Sequence, residues 1–169
     1  VLQLLNCRDP HVTEENYLQV IRYKTAKLFE AASRLGAILG NATAAEEDAM
    51  AVYGMHLGTA FQLIDDMLDY SGNNQDTGKN LGDDLAEGKP TLPVIHAIAN
   101  SPPEQAASLR RAIESGGPDS LDNIVAAIRD SGALEHARSR AEHYARSAQS
   151  ALKALPDSPA REALAFLAE

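Results

Sequence analysis

Three aspartates set inside an apolar run constrain this chain more than anything else in it. They fall in the stretch Phe61 to Pro93, FQLIDDMLDYSGNNQDTGKNLGDDLAEGKPTLP. Asp65 and Asp69 stand four residues apart, so on a helix they share one face and repel each other. Their neighbours Leu63, Ile64, Met67 and Leu68 call for burial, and an unpaired carboxylate among such residues is costly. A divalent cation resolves the conflict, and hard oxygen ligands suit Mg²⁺ better than zinc. Magnesium held by few carboxylates completes its shell with water and phosphate oxygens, so the implied ligand is a diphosphate. The loop that follows, rich in Gly, Asn and Asp, carries Lys79 and Lys89, two cations suited to an anion beside a metal.

Composition narrows the remaining classes. A chain of 169 residues with 44% hydrophobic content is one domain's worth and can build a core. The net charge of −9 argues against a nucleic-acid partner. No apolar run of 18 residues predicts a membrane span, and no secretory leader is seen. Cys7 is the sole cysteine, which rules out an internal disulfide and suits a reducing, cytoplasmic setting. The chain opens at Val1 without an initiator Met, as a fragment or trimmed chain would.

The periodicity is helical throughout, and an all-α fold is expected. Val1 to Leu5 reads as the last turn of a helix. Thr13 caps the next, with Glu14 and Glu15 in its first turn. A buried stripe is predicted through Leu18, Ile21, Thr25, Leu28, Ala32, Leu35 and Leu39, stopped by Gly40 and Asn41. Thr43 to Glu46 forms a capping box opening a helix to about Tyr70. Gly54, Gly58, Thr59 and Ala60 in its middle permit close packing or leave room for a ligand. Ser71 to Lys89 is read as a long loop. Thr91 then caps a helix with Pro93 in its first turn. Further helices are expected from Ser101 to Ser115, from Ser120 to Asp130 and from Ala133 to Leu155. A final one is capped by Ser158, with Pro159 at its first position.

The segments FQLIDDMLDY and GKNLGDDLAEGKPTLP, with the upstream pair Lys24–Thr25, resemble the second aspartate-rich half of the trans-prenyl (polyprenyl) diphosphate synthases. The likeness runs over nearly the whole chain and is closest to bacterial octaprenyl-forming members. It implies an isoprenoid synthase-type helical bundle, with residues 1–169 as the C-terminal portion. In that pattern Asp65, Asp66 and Asp69 bind Mg²⁺, Asp65 being the strongest candidate for direct ligation. Lys24 contacts the allylic diphosphate. Thr25 and Gln62 stabilise the developing carbocation and steer proton loss, while Phe61 and Gln62 line the isopentenyl pocket. Lys79 and Lys89 contact diphosphate. Asp83 and Asp84 add water-mediated metal contacts, or simply form a cap and turn. Each also has a plainer reading: an acidic solvated face, a snorkelling Lys24, a satisfied core Thr25. His56 and His96 have no partner at metal-ligand spacing.

The implied chemistry is head-to-tail condensation of isopentenyl diphosphate with an allylic diphosphate such as farnesyl diphosphate. It would make a long-chain, octaprenyl diphosphate for quinone side chains. The pattern has one departure. An active synthase of this kind carries two aspartate-rich motifs, and Gly82-Asp83-Asp84 does not supply the other. That motif is expected upstream of Val1, so these residues alone are expected not to turn over. Their exposed faces are expected to pair with other chains, as in a homodimer. Two other classes fit less of the pattern: another isoprenoid synthase, such as a terpene cyclase, and a non-catalytic helical partner subunit.

Overall fold

The computed structural model describes residues 2–71, 82–116 and 121–169. Every regular element among them is helical. In chain order they are α1 (Leu2–Asn6), α2 (Glu14–Ile21), a π-helical turn (Arg22–Ala26), α3 (Lys27–Leu39), α4 (Ala44–Leu68) and α5 (Asp83–Ala86). Then come α6 (Leu92–Asn100), α7 (Pro103–Ser115), α8 (Leu121–Asp130), α9 (Ala133–Ala151), a 3₁₀ turn (Leu152–Ala154) and α10 (Pro159–Phe166). No described helix is long and apolar enough to cross a membrane.

Local chemistry sets the helix starts where the sequence puts them. The Thr13 hydroxyl accepts the Asn16 N–H at 3.2 Å. At α4 the capping box is reciprocal: Thr43 N–H donates to Glu46 Oε2 at 2.7 Å, and Glu46 N–H to Thr43 Oγ1 at 3.4 Å. The Ser158 hydroxyl accepts the Arg161 N–H at 3.2 Å, with Pro159 just inside α10. Thr91 differs. It stands at the N-cap of α6, but its hydroxyl donates to the buried Tyr70 hydroxyl at 3.3 Å and caps nothing.

Two compact units divide the chain. The first comprises Val1–Val20 and Leu63–Ser139, the second Ile21–Gln62 and Arg140–Glu169. The core of the first gathers Tyr70, Leu85, Val94, Leu109, Ile113 and Ile128, all fully buried. Short α5 lies inside the stretch read from sequence as a loop. It starts at Gly82, whose φ of 79° and close approach to the Leu121 side chain favour a residue without Cβ. Ser120, expected to open α8, lies outside the described residues.

The second unit is built on close backbone approach. A Cβ at Gly54 would sit 2.4 Å from the Phe29 carbonyl oxygen, and one at Gly58 would sit 2.8 Å from Ala26 Cα. Glycine there lets α4 pack directly on the π turn and α3. Tyr53 is buried with Ala148, Leu152 and Ala168, and its hydroxyl donates to the Leu164 carbonyl at 2.8 Å.

Two expectations need correction. The stripe predicted from Leu18 to Leu39 is buried only at its start. Leu18 and Ile21 are covered and Thr25 is half-buried, but Leu28, Leu35 and Leu39 are 70%, 57% and 82% exposed, and Ala32 is exposed too. Periodicity shows that a face is apolar; it does not supply the surface that covers it. The helix predicted to Leu155 leaves α-geometry at Ala151, tightens into the 3₁₀ turn and goes extended at Leu155. Pro156 explains this, because a proline disfavours helical ψ in the residue before it.

Candidate active site

The sequence-predicted residues fall into two groups, one in each unit. In the second unit, Lys24 and Thr25 sit on the π turn. Lys27 N–H donates to the Arg22 carbonyl, the i to i−5 bond that inserts an extra residue into the helix. Such turns recur at functional sites because they change where the flanking side chains point. The Thr25 hydroxyl donates to Gln62 Oε1 at 2.8 Å, joining two residues 37 positions apart. Gln62 is buried, while the Lys24 side chain is exposed and forms no ion pair among the described residues. Phe61 is 55% exposed, its ring tilted against Phe29 at 5.6 Å. Arg22, on the same turn, donates to the Tyr144 hydroxyl at 3.2 Å.

In the first unit, Asp66 and Asp69 are buried at 6% and 3% exposure, and Asp65 is half-buried. The Tyr17 hydroxyl donates to Asp66 Oδ2 at 2.6 Å. Burial, reinforced by the Asp66 charge, pushes the Tyr17 phenol well above its usual range, so it stays a donor. Asp69 accepts the Asp84 N–H at 3.2 Å through its carboxylate and the Gly82 N–H at 3.0 Å through its carbonyl. Asp84 in turn accepts from Lys89 at 3.1 Å, and Lys89 also reaches Glu87 at 2.5 Å. Partial burial of Lys89 favours its neutral form, but Glu87 and Asp84 outweigh it and hold the ammonium above its ordinary range. Asp83 lies exposed in the first turn of α5. Lys79 lies outside the described residues.

The donor set fits a hard cation. Asp65 and Asp66, in the last turn of α4, and Asp69, just past its end, offer carboxylate oxygens, with no sulfur or imidazole among them. No group of three His, Cys, Asp or Glu among the described residues converges tightly enough to enclose a metal ion by itself.

Sequence reasoning missed Tyr17, Arg22 and the π turn. The only signal for Tyr17 was indirect: a buried aspartate requires a donor, and a buried tyrosine requires a hydroxyl partner. His96, which has no partner at metal-ligand spacing in the sequence, stacks on His136 at 4.3 Å, and His136 meets Glu14 at 2.9 Å.

The model of the polyprenyl synthetase family matches residues 1–130. This chain belongs to that family. It is 54% identical over 169 residues to octaprenyl diphosphate synthase of Escherichia coli (strain K12), covering 99% of this chain and 52% of that protein. An all-trans-nonaprenyl-diphosphate synthase (geranyl-diphosphate specific) of Rhodobacter capsulatus is 45% identical over 167 residues, covering 99% of this chain and 51% of that protein. Among solved structures, a polyprenyl synthase from Caulobacter crescentus CB15, complexed with calcium and isoprenyl diphosphate, superposes with a TM-score of 0.92 at 43% identity. It is covered over 52% of its length by 99% of this chain. The all-α fold is thus that of the isoprenoid synthases. The chain spans about half the length of the relatives it matches.

Proposed function

We propose that this family member acts as a trans-polyprenyl diphosphate synthase, condensing isopentenyl diphosphate with an allylic diphosphate such as farnesyl diphosphate. The observation that carries the reading is the Thr25–Gln62 hydrogen bond at the π turn. Two residues that the family pattern gives one task, far apart in sequence, meet at 2.8 Å beside an exposed lysine. The 54% identity to the Escherichia coli relative favours an octaprenyl product for quinone side chains.

Asp65, Asp66 and Asp69 would hold Mg²⁺, which draws negative charge from the departing diphosphate when bound. The chain's own groups supply the rest. The Lys24 ammonium, exposed and without an ion pair among the described residues, is available to an incoming phosphate and stabilises charge as the allylic C–O bond breaks. The isopentenyl double bond then attacks the allylic carbon, and a proton is lost to restore an alkene. Thr25 and Gln62 present oxygen lone pairs and dipoles to the cationic carbons, fixed by their mutual bond. Phe61 offers an apolar wall to the isopentenyl unit and helps exclude water. Lys89 reaches a phosphate by exchanging Asp84 or Glu87 for it, and Lys79 is assigned a similar contact from its Gly-Lys context. The same reading carries a cytoplasmic location and a homodimer.

Incubating the full-length protein with farnesyl diphosphate, labelled isopentenyl diphosphate and Mg²⁺ tests this. A ladder of products ending at one long-chain length is expected. Intact substrates, or a cyclised hydrocarbon, would overturn the reading.

A further inference from the structure

Asp66 is gripped by a side chain from a distant helix. Tyr17 reaches it across 49 residues of sequence with a 2.6 Å bond, and both are nearly inaccessible, at 4% and 6% exposure. The position of Tyr17 is itself fixed. Its N–H donates to the Thr13 carbonyl at 3.0 Å, in the turn closed by the Thr13 cap, and Leu18 beside it is buried. A short bond from a phenol on a braced helix holds one carboxylate oxygen and so fixes the plane of the whole group. Carboxylates that hold metals are oriented by such outer hydrogen bonds, and removing one costs metal affinity. A donor needed only to satisfy a buried charge predicts a loss of stability and nothing more.

We propose that Tyr17 is a positioning residue for the cation site, orienting Asp66 through its buried hydroxyl so that the aspartates present their oxygens in one arrangement. The inference rests on the magnesium-diphosphate reading above.

The test is titration of Mn²⁺ into the full chain with inorganic pyrophosphate present, free metal being read by electron paramagnetic resonance and the fold by circular dichroism. Tyr17→Phe keeps the ring and removes the hydroxyl. It is expected to weaken Mn²⁺ binding about tenfold or more with helicity retained. Leu18→Ala, which removes buried bulk from the same helix without touching Asp66, is expected to lower the melting temperature and leave Mn²⁺ affinity alone. The pair Tyr17→Phe with Asp66→Asn removes the charge together with its donor, and it keeps the test open if the single variant unfolds. It is expected to bind no more weakly than Asp66→Asn alone. Wild-type affinity in Tyr17→Phe, an equal loss in Leu18→Ala, or a further loss in the pair would each overturn the proposal. If wild type and Asp65→Ala titrate alike, the cation site fails as well, and that outcome is distinct from the other three.

Discussion

The acidic end of α4 and the π turn before α3 handle charge in opposite ways. Around Asp66 and Asp69 the protein supplies partners: a phenol, a backbone N–H, and a lysine paired with Asp84, the residue whose N–H reaches Asp69. Around Lys24 it supplies none that the described residues show. Buried carboxylates need fixed donors to exist at all, and on the proposed reading the same donors pre-form the geometry a small, demanding cation requires. An exposed ammonium is solvated without help. One region therefore holds its charges with partners of its own, and the other leaves its charge to solvent.

That contrast can be broken at several points. The largest effect is expected at Gly54, where an added Cβ would meet the Phe29 carbonyl at 2.4 Å and backbone cannot yield cheaply. Gly54→Ala is predicted to destabilise the fold by about 3 kcal/mol, read as a lower midpoint in chemical denaturation. Lys24→Ala sharpens the comparison from the other side. It is expected to weaken diphosphate binding about tenfold, ~1.4 kcal/mol, while the melting temperature stays put. A drop in stability would mean Lys24 already has a structural task. Thr25→Val keeps the side chain's shape and removes the donor to Gln62. A stability loss of about 1 kcal/mol is predicted, with a changed ratio of alkene products if the pair steers proton loss.

The smallest effect concerns pH. Burial lowers the His56 pKa, assisted by Arg22 and His143. A depressed histidine binds its proton more readily unfolded than folded. Its contribution is therefore present above the unfolded value of about 6.5 and is lost as pH falls through the folded one. His56→Leu is predicted to flatten this acid limb in melting curves taken between neutral and mildly acidic pH; an unchanged limb would assign it to other groups.

Much of this was legible beforehand. Thr13, Thr43 and Ser158 announced their helices because capping is local chemistry, complete within four residues. Gly54 and Gly58 left close packing or room for a ligand open, and the structure shows close packing. The π turn was not legible, since the apolar spacing around Lys24–Thr25 reads equally well as regular helix. Neither was the Tyr17–Asp66 bond, which depends on two helices meeting. The stripe on α3 was read correctly as apolar and wrongly as covered, because covering is a property of neighbours. Thr91 shows the same limit: its type and position were right for a cap, and Tyr70 claimed the hydroxyl.

The most direct measurement is calorimetric titration of farnesyl diphosphate into the full chain, with and without Mg²⁺, repeated on Asp65→Ala. Binding that depends on Mg²⁺ in the wild type and is lost in the variant is expected. Binding of equal strength without Mg²⁺, or undiminished in Asp65→Ala, would contradict the magnesium-diphosphate reading.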